Sequence, residues 1–346
     1  MNVFKYSHLN AKISAMKGKM LNQEDINALM LRSSVAEIAS YLKNNTYYSN
    51  ALSNVAENDV HRGMLEILLY RAEISDSLKV ARYLKGKDKM IYRFVYRKYE
   101  IEDLKKMLRT LQMGKSLSEI DTSMLFISKY SKINFNEVLK ATTIKELVEG
   151  IHGTNFYPIL KPLMQDERHI DIFAAEMALD LYYYSKLKEQ LDTIVGGRDK
   201  EIFASIFGTD GDIKNILGIY RAKKYYETNR EMLYRYLIPM SYKLKKSDIE
   251  KMIEAETMEE FMTVFEGTYY AKYLGTDPDF WSINHLKLML KIQHKNTMRN
   301  QFSLAPIVGY VVTKELEIHN IVAIIEGIRY KVEQEKIKEQ LVGYEI

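Results

Sequence analysis

The sequence predicts an all-α protein built from three homologous helical units, 1–115, 116–230 and 231–346, packed as one body. Three observations predict it. Only 5 prolines and 16 glycines occur in 346 residues, so helix breakers are scarce. A cassette of a hydroxyl residue, a glutamate three positions on, an apolar helical pattern and then threonine with aromatics occurs three times. A second cassette, opening on an acid, follows each copy of the first, and the two share a period of about 110 residues.

The first cassette runs Ser34, Glu37, Ile38, Leu42, Thr46, Tyr47, Tyr48, Leu52 in its first copy. The second copy is Thr143, Glu146, Leu147, Ile151, Thr154, Phe156, Tyr157, Leu160, and the third is Thr257, Glu260, Phe261, Phe265, Thr268, Tyr269, Tyr270, Leu274. A hydroxyl three residues before a glutamate is the capping-box spacing, in which both side chains satisfy amides left free at a helix start. Ser34, Glu37, Thr143, Glu146, Thr257 and Glu260 are therefore read as caps. The capped helices should end near Asn44 and Asn45, Gly153 and Gly267, residues suited to a left-handed C-terminal position. From Glu37 to Glu146 is 109 residues, and from Glu146 to Glu260 is 114.

A long amphipathic stretch follows each capped helix: Gly63 to Leu84, Ile170 to Ile194 and Ile283 to Met298. The second cassette then reads Asp103-Leu104-Lys105-Lys106-Met107-Leu108, Asp212-Ile213-Lys214-Asn215-Ile216-Leu217 and Glu317-Ile318-His319-Asn320-Ile321-Val322. Its acids, Asp103, Asp212 and Glu317, are expected at helix starts, where negative charge complements the macrodipole. Gly208-Thr209-Asp210-Gly211 reads as the turn before Asp212, Pro306 to Gly309 as a helix end, and Ile307 to Val312 as the best short strand candidate.

Composition narrows the function. Lys and Arg number 50 against 46 Asp and Glu, a mild excess far from that of a dedicated nucleic-acid binder. The absence of cysteine excludes disulfides, thiolate catalysis and zinc fingers, and suits a reducing compartment. No apolar run approaches the roughly 18 residues of a membrane helix. Met1 to Met20 lacks a signal-peptide pattern, which reads as a cytosolic, unprocessed chain.

Catalytic motifs fail on inspection. Gly114-Lys115-Ser116 is half a phosphate-binding loop, but Arg109 stands where its first glycine belongs. Asp210 and Asp212 begin an EF-hand pattern that Lys214 and Asn215 end. The seven histidines never fall four apart on one helical face, and Glu254, Glu256, Glu259 and Glu260 sit at a helix start. No cofactor or metal is called for. One stretch supports a binding alternative. Arg82, Lys85, Lys87, Lys89, Arg93, Arg97 and Lys98 interleave with Tyr83, Tyr92, Phe94, Tyr96 and Tyr99, as in proteins that hold single-stranded nucleic acid by phosphate neutralisation and base stacking. The competing reading is a basic helix with aromatics in the core.

Further motifs fall in order along the chain. They are Tyr6, Ala11-Lys12-Ile13, Ala15-Met16 and Leu21; Asp212-Ile213-Lys214-Asn215-Ile216 with Tyr220-Arg221-Ala222-Lys223; and Pro306-Ile307-Val308-Gly309-Tyr310, Lys314-Glu315, Glu317-Ile318, Asn320-Ile321 and Glu326-Gly327. This order and the threefold repeat resemble the C subunit of V-type and archaeal-type rotary ATPases, the counterpart of the eukaryotic vacuolar d subunit. Lys12 stands where that family usually has arginine. The resemblance implies three pseudo-threefold three-helix-bundle units forming a funnel on the cytoplasmic face of the membrane. Its mouth would receive the central shaft, of D- and F-type subunits, and its base would sit on the ion-carrying rotor ring. Such a connector is not an enzyme. From the repeat, Lys105, Arg109, Lys214, Arg221, Lys223 and Arg329 are the expected partner contacts.

Overall fold

A computed structural model describes residues 6–54, 60–95, 97–117, 131–226 and 228–344, with backbone alone at 91, 93–95 and 194. The first stretch of chain folds as α1 (Ser7–Lys17), α2 (Gln23–Met30), α3 (Val35–Asn45), α4 (Arg62–Ala81), α5 (Gly86–Val95) and α6 (Arg97–Gln112). Next come α7 (Phe135–Val138), α8 (Ile144–Gly150), α9 (Tyr157–Leu160), α10 (Ile172–Ile194), α11 (Gly197–Arg221) and α12 (Arg230–Arg235). The last are α13 (Lys246–Glu254), α14 (Met258–Glu266), α15 (Ala271–Leu274), α16 (Trp281–Arg299), α17 (Ala305–Arg329) and α18 (Gln334–Glu339). The fold is all-α; among the described residues the nearest thing to a strand is one isolated bridge between Met164 and Ile170.

The long amphipathic stretches are α4, α10 and α16, and the acid-bearing cassettes lie on α6, α11 and α17. The capped helices are α3, α8 and α14. Ser34 Oγ, Thr143 Oγ1 and Thr257 Oγ1 accept the amides of Glu37, Glu146 and Glu260 at 3.2, 3.1 and 3.1 Å. The carboxylates reach one residue further back than the expected box. Glu37, Glu146 and Glu260 accept the amides of Ser33, Thr142 and Glu256 at 2.8, 2.7 and 2.7 Å. These bonds to the anion hold the Glu37 and Glu146 carboxyls below the usual carboxylate range. Of the expected C-terminal glycines, Gly153 is left-handed at φ 81, whereas Gly267 is right-handed at φ −75 and continues the helical turn.

Two compact units group the chain. One comprises Met1–Tyr92 with Ser282–Ile346. Its core packs Ile26, Leu29, Ile38, Leu42, Leu65 and Leu69 against Ile318, Ile321, Ile324 and Ile325 of α17. That helix is buried on nearly every side, so its apolar residues show no periodicity. This corrects the strand reading of Ile307 to Val312: a short apolar run cannot by itself distinguish a buried strand from a buried helix. Pro306 does not end a helix but sits in the first turn of α17, where its missing N–H costs nothing. The other unit is Arg93–Trp281. There Phe261, Phe265 and Tyr220 surround the one tryptophan, Trp281, which is fully buried.

The acids of the second cassette correct a further expectation. Asp103, Asp212 and Glu317 are not at helix starts but in mid-helix and buried. Gly208 and Gly211 are likewise inside α11 rather than in a turn. The reason is close approach: a Cβ on Gly211 would stand 2.6 Å from the Met240 carbonyl oxygen, and one on Gly208 2.9 Å from that of Ser241. The segment from Ile238 to Leu244 thus lies directly on α11.

Candidate partner-binding surface

What the mid-helix acids do is visible in their partners. Asp212 Oδ2 accepts the consecutive amides of Tyr242, Lys243 and Leu244 at 2.9, 2.8 and 3.0 Å, and Tyr270 Oη donates to it at 2.7 Å. One turn on, Asn215 exchanges both amide hydrogen bonds with the backbone of Ile238, at 3.1 and 2.8 Å. Glu317 and Asn320 repeat the arrangement. Glu317 accepts the Leu21 amide at 2.6 Å and the Tyr48 hydroxyl at 2.7 Å, while Asn320 exchanges two bonds with Val342 at 2.8 and 2.9 Å. The acid-x-x-Asn pattern is therefore a clasp for backbone, because a carboxylate and a carboxamide one turn apart present acceptors and a donor on one helical face.

Sequence reasoning missed the polar cluster beside Glu317. Lys314 is 1% exposed and pairs with Glu317 three residues along; its Nζ also donates to Tyr48 Oη at 2.8 Å and lies 4.0 Å from the Tyr47 ring centre. Tyr47 and Tyr310 donate to buried Asp76 at 3.0 and 3.2 Å, and Lys79 joins it at 2.7 Å. Burial, opposed by Glu317 and Asp76, lowers the Lys314 ammonium; burial beside these acids raises the phenols of Tyr47, Tyr48 and Tyr310. The signal available was Lys314-x-x-Glu317, an ion-pair spacing inside an apolar helix.

The six expected partner contacts divide. Lys105, Arg109 and Lys214 come together with Glu102, Glu176, Asp180 and Asp210 on α6, α10 and α11. Lys105 is buried and bridges Asp180 at 2.7 Å and Glu102 at 3.0 Å. Arg109, half exposed, pairs with Glu176, and Lys214 stands 3.8 Å from Asp210 and over the Tyr184 ring. Burial alone would lower the Lys214 ammonium, but Asp210, Asp180 and Glu102 outweigh it and raise it. Arg221 is exposed in the last turn of α11. The helix then widens into a π-turn, Ala222–Tyr226, that carries Tyr225 and Tyr226 outward at 64% and 54% exposure. Lys223 in this turn does not project as a partner contact. Its Nζ donates to the carbonyls of Ile253 and Ala255 at 2.7 and 2.6 Å, closing the C-terminus of α13. Arg329, in the other unit, is exposed at the end of α17 and lies over the Tyr330 ring.

Of the described aromatics in the basic-aromatic stretch, one is exposed and two are buried. Tyr92 and Tyr99 are buried at 4% and 5%, whereas Tyr83 is exposed; Arg93, Phe94 and Tyr96 lie outside the described side chains. Among the described residues no three His, Asp or Glu gather as metal ligands would, and no helix is long and apolar enough to cross a membrane.

The chain has counterparts among known proteins. The family model for the ATP synthase (C/AC39) subunit matches residues 9–340. The C subunit of the A-type ATP synthase of Methanocaldococcus jannaschii is 25% identical, over 98% of this chain and 86% of its own length. Those of Methanosarcina mazei and Methanosphaera stadtmanae are each 25% identical, the first over 97% of this chain and 92% of its own, the second over 99% and 89%. With a match that runs through the caps, the acid-bearing helices and α18, the chain belongs to the ATP synthase (C/AC39) subunit family.

Proposed function

We propose that this chain is a subunit of a rotary ATP synthase or ATPase, and within it the non-catalytic connector between the central shaft and the membrane rotor ring. The observation that carries the reading is the family match from residue 9 to residue 340. Rotation in the catalytic head is passed through this body to the ring, which moves protons or sodium ions; hydrolysis and ion carriage belong to other subunits. The protein stands on the cytoplasmic face as a peripheral component. Its partners are the D- and F-type shaft subunits and the ring.

The threefold organisation, with units 1–115, 116–230 and 231–346 as a funnel, is supported by a cyclic pattern of neighbours. The acid-bearing helix of each copy touches the head of the next: α6 meets α8, α11 meets α13, and α17 meets α3. Arg109, Lys214, Arg221 and Arg329 supply charge to the partner contacts, while Lys105 and Lys223 stiffen the surface from behind. Torque demands a body that neither slips nor yields, which suits helices tied to each other through main-chain clasps.

Co-sedimentation of the purified protein with the shaft subunits, and with membranes carrying the rotor ring alone, tests the proposal. Binding to both, weakened by salt, is expected. Binding to neither by a folded, helical protein overturns it.

A further inference from the structure

The two clasps occupy equivalent places in the repeat and differ in two respects. Leu244, held by Asp212, lies 16 residues before Glu260; Leu21, held by Glu317, lies 16 residues before Glu37. Tyr270 and Tyr48 each stand two residues after the threonine of their cassette. At Asp212 the clasped segment is one continuous strap, gripped from Ile238 by Asn215 to Leu244 by Asp212. At Glu317 the same work falls to two segments far apart in sequence. Asn320 grips Val342 near the C-terminus, Glu317 grips Leu21 near the N-terminus, and Tyr344 Oη donates to the Leu21 carbonyl at 3.2 Å. Leu21 and Val342 stand 321 residues apart, so two separate segments meet at this junction.

The residue three before each acid differs accordingly. It is Lys314 before Glu317 and Thr209 before Asp212. If the strap and Tyr270 both left Asp212, all four of its donors would be lost, and among the described residues no cation pairs with this carboxylate. Opening there strands a buried charge. If Leu21 and Tyr48 left Glu317, the acid would keep Lys314 on its own helix, and Lys314 would still face Asp76 and Glu73 of α4. Opening there strands none. A retained counter-ion removes the main penalty of separating a buried carboxylate from its donors.

We propose that the Glu317 junction is a latch, the place where this body opens reversibly, and that Lys314 makes it one. The Asp212 junction stays closed. Opening frees Leu21 and Tyr48 from Glu317 and lets the head formed by α2 and α3 shift on α17 without unfolding the other unit. This holds for the isolated protein whatever complex it serves.

Hydrogen exchange on the full-length protein, read by mass spectrometry, tests it. Peptides spanning residues 19–31 and 35–45 are expected to exchange at least about tenfold faster than those spanning 240–248 and 258–266, by a local opening. Tyr48→Phe, which removes one donor and keeps the ring, should speed the first pair several-fold further and leave the second unchanged; Tyr270→Phe should do neither to the first pair. Equal protection at Leu21 and Leu244, or a Tyr48→Phe effect spread evenly over both units, overturns the proposal.

Discussion

Substituting alanine at two glycines of α11 should change stability in opposite directions. Gly218 has only Met177 Cε near its absent Cβ, at 3.6 Å, an ordinary contact. Alanine there gains the helix preference of a residue with less freedom to lose, about 0.5–1 kcal/mol of added stability. Gly211 would gain the same preference, but its new methyl would stand 2.6 Å from the Met240 oxygen and 3.1 Å from Ile238 Cγ2. The oxygen belongs to backbone pinned on one side by Asn215 and on the other by Asp212, so it has little room to yield. Overpacking of this kind costs about 1–3 kcal/mol. Loosening even one bond to the Asp212 carboxylate adds about 1.5–3 kcal/mol. Set against the gained helix preference, the net loss is about 1.5–5.5 kcal/mol. The single tryptophan is a built-in reporter, since Trp281 is buried in the unit that contains both glycines. Urea unfolding followed by its fluorescence should give a lower midpoint for Gly211→Ala and a slightly higher one for Gly218→Ala. Equal midpoints would refute the close-approach account of the strap.

Other outcomes follow from the same geometry. Lys314→Met leaves the Glu317 carboxylate buried without its cation and should cost about 3–5 kcal/mol in urea unfolding followed by circular dichroism, relieved when Glu317→Gln is added. Lys223→Met removes two carbonyl contacts and should cost about 1–2 kcal/mol, with faster exchange confined to the end of α13. Arg221→Glu, at an exposed site, should change stability by no more than about 0.5 kcal/mol and, under the proposed connector role, weaken shaft binding most at low salt. The Glu37 and Glu146 carboxyls are held low in the folded state, so their contribution is complete above the unfolded carboxylate range near 4.5 and is lost as pH falls through the depressed folded values. Acid titration of Glu37→Gln by circular dichroism should accordingly show a weaker loss of stability between about pH 5 and pH 3 than the unaltered protein.

The repeat was legible because caps are local. A hydroxyl and a glutamate three residues apart act on amides of their own turn, and their spacing survives in the sequence wherever that turn does. The long amphipathic helices were legible for the same reason, their limits falling within a few residues of Arg62–Ala81, Ile172–Ile194 and Trp281–Arg299. The clasps were not. Asp212 and Glu317 act on amides 30 to 32 residues ahead and 296 residues behind, and no spacing rule announces a partner at that distance. A mid-helix acid followed three residues later by asparagine looks the same as a cap until the facing chain is known. The glycines misled for a related reason, since a residue chosen for lack of a side chain reads as one chosen for a turn. Among the residues expected to meet a partner, charge alone could not separate Arg221, which is exposed, from Lys223, which turns back onto α13.

The grip of Asp212 falls on N–H groups rather than on side chains. Any residue with an amide hydrogen makes the bond at 242, 243 or 244, and proline alone forfeits it, although the burial of Leu244 keeps that position apolar. The strap's outward chemistry is thereby decoupled from its anchorage. Tyr242 and Lys243, the first 43% exposed and the second resting over its ring, could be exchanged for residues of another charge or shape while the polypeptide stayed in register. A fold tied through its main chain leaves its exterior open to retailoring, and divergent sequences can then keep one framework while presenting different faces.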